Sequence, residues 1–140
     1  MSGSSAGYAA MRLLPPYRFA LRPATIPEHQ ARITAMPLLC LSTCPDAETA
    51  AAIARRLVEE RLAACVNQLP GVVSTYRWQG RIHEDAEVLL LIKTTRERLD
   101  ALRDRLAELH PYEVPELVAF EIADGLPPYL AWLARETATR

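Results

Sequence analysis

Three groups of side chains in this sequence have types and spacings that could do chemistry. Cys40, Ser42 and Cys44 alternate along an apolar run, so a strand there puts all three on one side. Two thiolates with a histidine suit a soft or borderline metal such as copper or zinc. A buried free cysteine serves equally well as a small apolar filler, and Cys65, inside another apolar run, is read that way. His83-Glu84-Asp85 with Glu87 offers imidazole and carboxylate donors for a divalent metal, but neighbouring strand residues diverge, so a solvated acidic turn is expected. The third group is Lys93 with His110, Tyr112, Glu113 and Glu116. Lys93 ends an apolar strand, a common place for ligands in α/β sheets. The segment His110-Pro111-Tyr112-Glu113-Val114-Pro115-Glu116 is stiffened by its prolines and holds its side chains at low entropic cost. These residues outline a small-ligand or metal pocket; the plainer reading is a structural link with Tyr112 packed and Lys93 paired to a glutamate.

The elements that must position these groups follow from apolar period and turn residues. Leu38-Leu39-Cys40-Leu41-Ser42 reads as a strand, and Cys44-Pro45-Asp46 starts a helix with proline in the first turn. Ala50, Ile53, Ala54, Leu57 and Val58 recur at helical spacing. Residues 62–69 read as a second strand, closed by the turn pair Pro70-Gly71. Residues 72–83 read as a hairpin arm that reverses at Gln79-Gly80. Residues 87–94 form the most strand-like stretch, a helix follows from about Thr95 to Leu109 on a leucine stripe, a fourth strand covers 117–123, and Pro127-Pro128 opens a short terminal helix. Two strand–helix–strand halves of this kind predict an α+β, ferredoxin-like split βαβ sandwich, with both helices on one sheet face, an extended β-hairpin and a C-terminal helix.

That layout poses a problem. A sheet covered on one face should alternate apolar and polar residues. Val88-Leu89-Leu90-Leu91-Ile92 does not alternate. Leu89 and Leu91 therefore fall on the uncovered face, where a patch of this kind exceeds what monomers usually leave bare. Burying each leucine stabilises by roughly 1.5–3 kcal/mol. The second face is expected to meet other copies of the chain in a closed homo-oligomer, with Tyr76 and Trp78 of the arm reaching onto a neighbour. Lys93, Tyr112, Glu113 and Glu116 are then candidates for a cleft between subunits.

Composition narrows the class. The 140 residues are 50% apolar and 24% charged with a net charge of -1, which fits one folded domain and gives no strong field for nucleic acid or an anionic membrane. No run of about 18 apolar residues occurs, so no membrane-spanning helix is expected. Three cysteines are too few for a disulfide scaffold and favour a reducing, cytoplasmic setting. Residues 1–36 stand apart: they are rich in arginine and proline and hold a single acid, Glu28. They read as a poorly ordered extension or as sequence upstream of a start at Met36, with a faint transit-peptide character. The folded domain is placed at 37–140.

No Gly-rich phosphate loop, nucleophile elbow or paired-histidine zinc helix occurs, so no enzyme is expected. An acylphosphatase-type enzyme on the same sheet would want an arginine after the first strand, and Ser42 to Asp46 holds none. An RNA-binding sheet would present stacking aromatics where this one has leucine. A structural homo-oligomer working through partner proteins is the remaining alternative.

The ordered stretches Thr43-Cys44-Pro45-Asp46, Leu62-Ala63-Ala64-Cys65-Val66-Asn67, Leu69-Pro70-Gly71-Val72, Tyr76-Arg77-Trp78-Gln79-Gly80, Ile92-Lys93-Thr94-Thr95, His110 to Glu116 and Tyr129-Leu130-Ala131-Trp132 resemble the CutA family of divalent-cation-tolerance proteins. The resemblance covers residues 37–137. It implies a ferredoxin-like subunit in a tight homotrimer similar to PII-type signalling proteins, cytoplasmic, non-enzymatic and linked to divalent-metal and copper tolerance. It also implies copper ligands at a cysteine ending the first strand and at two histidines before Pro-Tyr. Here the cysteine position is Ser42 and the histidine pair is Leu109 and His110, which leaves His110, with Cys44 or Cys40 as substitute sulfur ligands.

Overall fold

A computed structural model describes residues 35–139. The N-terminal extension expected for 1–36 lies, apart from its last two residues, outside the described residues.

The chain runs β1 (Pro37–Cys44), α1 (Ala47–Glu59), β2 (Cys65–Trp78), β3 (Arg81–Thr95), a 3₁₀ turn (Arg96–Arg98), α2 (Leu99–Leu109), β4 (Val118–Glu121) and α3 (Pro127–Glu136). The four strands form one sheet in the order β2-β3-β1-β4, every pair antiparallel. This is the split βαβ topology expected from the sequence.

Each element has a local cause. Asp46 sits outside α1 and accepts the Thr49 amide on Oδ1 at 2.7 Å, so the helix starts one residue after the acid. Pro45 therefore precedes the cap instead of lying in the first turn. The α1 chain turns out at Arg61, whose φ of +58° is left-handed, with the Leu62 amide reaching back to the Leu57 carbonyl at 2.9 Å. At the hairpin tip Gln79 and Gly80 take φ of +50° and +77°, the two-residue turn that suits twisted strands.

The sheet differs from the sequence reading in its longest strands. Pro70-Gly71 was expected to end a strand; instead β2 continues through it to Trp78. Pro70 has no N–H and Gly71 takes φ +83°, so pairing with β3 skips this step as a bulge between Leu69 and Val72 and then resumes. The hairpin arm is the distal half of two long strands. His83, Asp85 and Glu87 accordingly belong to a strand and not to an acidic turn. β4 is shorter than the expected 117–123.

The core lies between the sheet and the two helices. Leu38, Cys40 and Cys44 of β1 and Val88, Leu90 and Ile92 of β3 are buried with Ile53 and Leu57 of α1 and Leu102 and Leu106 of α2. The opposite face holds Leu39 and Leu41, the register-paired Leu69 and Leu89, Leu91, Val118 and Phe120. Here Leu39, Leu41, Leu89 and Leu91 are half-buried, while Leu69 and Phe120 are 51% and 53% exposed. α3 covers only the end near Thr95, where Thr95 and Thr137 share a 3.4 Å hydroxyl contact and Leu133 is fully buried. The rest is an apolar patch across all four strands.

Candidate functional site

Three segments converge at the other end of this uncovered face. β1 supplies Thr43. The arm supplies Ser74, Tyr76, Trp78 and Glu87, which the β2–β3 register places on the same face as Leu89 and Leu91. The loop after α2 supplies Pro111, Tyr112, Glu113, Val114 and Glu116. Together they enclose a cleft of about 580 Å³.

The loop is pinned at three points. His110 is buried; its Nε2 lies 2.8 Å from the Thr43 carbonyl and its Nδ1 accepts the Tyr112 amide at 3.2 Å. These partners select the tautomer with hydrogen on Nε2, donating to Thr43. The Tyr112 hydroxyl donates to Glu87 Oε2 at 2.8 Å, and Thr43 Oγ1 donates to Glu116 Oε2 at 3.2 Å. Glu87 is only 7% exposed. Burial, reinforced by the Glu87 carboxylate, holds the Tyr112 phenol well above its ordinary range, so it remains a donor. On the arm, the Tyr76 hydroxyl donates to Asp85 and its ring stacks on His83 with centroids 5.4 Å apart. The Asp85 bond raises the Tyr76 phenol as well.

The structure sorts the sequence candidates. Tyr112, Glu113 and Glu116 line the cleft, with Tyr76 and Trp78 of the arm. Lys93 does not. It lies six strand residues from Glu87, about 20 Å away, and donates to Asn67 Oδ1 across the β2–β3 pair. Among the described residues it pairs with no glutamate. His110 and Cys44 do come together, with Nε2 and Sγ 3.9 Å apart. Cys40 stays out, four residues and about 13 Å further along β1. Glu87 and Trp78 join the site through strand period: counting by twos from Leu89 reaches Glu87, and that signal was present in the sequence.

Copper does not fit this donor set. Both ring nitrogens of His110 are committed, to a carbonyl and to an amide. Burial pushes the Cys44 thiol up to about 11, with Glu87 and Asp46 adding to it, and burial alone does the same to Cys40. A thiol ligand must ionise to bind. Among the described residues no group of three or more His, Cys, Asp and Glu side chains could hold a metal ion. The same pair makes no cysteine nucleophile, because Nε2 offers its hydrogen and not a lone pair.

Fold and site together define a ferredoxin-like α+β domain with a ligand-sized cleft beside an uncovered apolar sheet. The model of the family described as "CutA1 divalent ion tolerance protein" matches residues 38–136. The chain belongs to that family. It is 54% identical over 102 residues to the divalent-cation tolerance protein CutA of Thermus thermophilus, covering 73% of this chain and 99% of that one. Protein CutA of Mus musculus is 48% identical over 95 residues, and the chain spans 54% of its length. Among solved structures, CutA from Xylella fastidiosa superposes with a TM-score of 0.71 at 53% identity, over 73% of this chain and 98% of that one. A 35% identical structure from Archaeoglobus fulgidus, with a TM-score of 0.71 over 74% of this chain and 100% of that one, is described as a periplasmic divalent cation tolerance protein.

Proposed function

We propose that this chain is a non-catalytic binding and signalling protein of divalent-ion tolerance, working as a homotrimer in the cytoplasm, with the cleft at the base of the arm as its ligand site. The observation that carries the proposal is the uncovered face. Seven apolar side chains, Leu39, Leu41, Leu69, Leu89, Leu91, Val118 and Phe120, share one side of the sheet, and α3 covers only its far end. Such a patch marks an interaction surface. The cleft opens at its rim, so a neighbour seated on the leucines would border the cleft too.

Three further points support the reading. The segment Ser42 to Asp46 has no arginine to cradle a phosphoryl group. All three cysteines are free, as suits a reducing compartment. Among the described residues no helix is long and apolar enough to cross a membrane. Copper is not assigned to His110 here; tolerance of metal ions then follows from signalling or from partners and not from storage in this chain.

Sedimentation at micromolar concentration tests the assembly. The expected mass is three times the 15.6 kDa of one chain. A single 15.6 kDa species would overturn the reading.

A further inference from the structure

The uncovered face carries opposite charges at its two ends. Alternation along β3 puts Glu87, Leu89, Leu91 and Lys93 on this face in that order. Glu87 stands at the cleft end and is 7% exposed. Lys93, half-buried and the one lysine of the sequence, stands at the other end, about 20 Å away. None of the ion pairs among the described residues involves either of them. Lys93 donates to the neutral Asn67 Oδ1, which serves one of the three N–H donors of an ammonium. In a lone subunit water serves the rest. A neighbour that covers Leu89 and Leu91 also covers Lys93 and takes that water away. A covered ammonium without an anion is costly. The strand carboxylates of this face, Asp85 and Glu87, both lie towards the arm, out of reach of Lys93 in the same chain. The anion must then arrive with the neighbour.

We propose that the Lys93 ammonium of each chain enters the cleft of the adjoining copy and pairs with Glu87 of the partner subunit. This pairing rests on the homo-oligomer proposed above and adds the contact that completes each cleft from two chains. A ring packs one part of a face against a different part of the next copy. A cation at one end of the face and an anion at the other give such head-to-tail packing its direction and register. Glu87 is the strand acid beside the leucines; Asp85 lies further out on the arm, is exposed and holds the Tyr76 hydroxyl. Arg81 and His83 also lie on this face, but Arg81 is exposed and keeps its water, and His83 stacks on Tyr76. Each cleft then has its aromatic walls and carboxylates from one chain and its ammonium from the next.

A double-mutant cycle on the full chain tests the contact. Lys93→Met, Glu87→Gln and the two together are compared by sedimentation, in the urea concentration that half-dissociates the unsubstituted assembly. Far-UV circular dichroism checks that each variant is folded, and Glu87→Gln keeps an acceptor for Tyr112. Each single substitution should raise the dissociation constant roughly tenfold or more, as breaking a covered charge pair does. The double substitution should raise it no further than the larger single one does. Residues about 20 Å apart in one chain act independently, so coupling of the two arises across a subunit boundary. Lys93→Arg keeps the cation and should assemble more tightly than Lys93→Met. Single effects that multiply, to about a hundredfold in the double substitution, overturn the pairing and leave the assembly standing. Single substitutions that assemble like the unsubstituted chain do the same. Should Glu87→Gln unfold, Lys93→Glu carries the test: the folded chain should dissociate, and undiminished assembly overturns the pairing. A 15.6 kDa species for the unsubstituted chain overturns the homo-oligomer and the pairing together.

Discussion

The two faces of one strand, β3, are made of nearly the same residues and have different fates. Val88, Leu90, Ile92 and Thr94 face α1 and α2 and are buried. Leu89, Leu91 and Lys93 face the other way and are only half-buried. A leucine therefore means two things in this chain. On the helix side it is folding energy held within one subunit. On the other side it is stabilisation that becomes available only when another surface arrives, so it depends on concentration.

Substitutions can break or sharpen this contrast. Leu90→Ala opens a cavity at a fully buried site and should cost about 2–5 kcal/mol in denaturant unfolding. That loss should appear equally at low and high protein concentration. Leu91→Glu should do the opposite. It leaves one subunit folded by far-UV circular dichroism but lowers the mass seen in sedimentation to that of a single chain. If Leu91→Glu stays associated, the second face is not the interface.

Next in size is the polar end of the uncovered face. Tyr112→Phe removes the donor to buried Glu87 and should destabilise by about 1–3 kcal/mol in the same unfolding experiment. The core thiols give a pH signature on the helix side. Cys40 and Cys44 have folded-state values of about 11 against an ordinary 9.0, so the folded chain holds protons that the unfolded chain releases. Stability should be undiminished by them below pH 9.0 and should fall as pH rises towards about 11. Cys40→Val with Cys44→Val should reduce that fall in the urea midpoint, and the part above pH 10.0 should remain, because the Tyr112 and Tyr76 phenols are raised as well. The smallest expected effect is on copper. Calorimetric titration of His110→Ala with copper should match the unsubstituted chain, because both nitrogens of His110 already serve the loop.

The elements were legible because their causes are local. The helical spacing of Ala50, Ile53 and Leu57 and the unbroken apolar run at 88–92 each carry their own period. The sheet order followed from them with the usual crossover rule. The bulge was not legible. Pro70-Gly71 spells a turn in isolation, and only pairing with β3 on both sides makes it an interruption inside one strand. The site was half legible. The stiff segment Tyr112 to Glu116 does line the cleft, as its prolines suggested. Lys93 was grouped with it wrongly because α2 carries the chain back about 16 Å along the sheet before His110. The carboxyl end of β3 and the loop after α2 are thus at opposite ends. The Tyr112–Glu87 bond joins residues 25 apart and depends on strand register, which no local pattern encodes.

The bulge has a consequence beyond geometry. β2 and β4 are the two outer strands of the sheet. A long, flat outer strand is an open template on which chains can add without limit. β4 offers only four residues, and β2 is interrupted by a proline that has no hydrogen to give and a glycine that turns the backbone aside. A molecule with a half-bare apolar sheet face would otherwise be a candidate for fibres. Its blunted margins work against endless stacking.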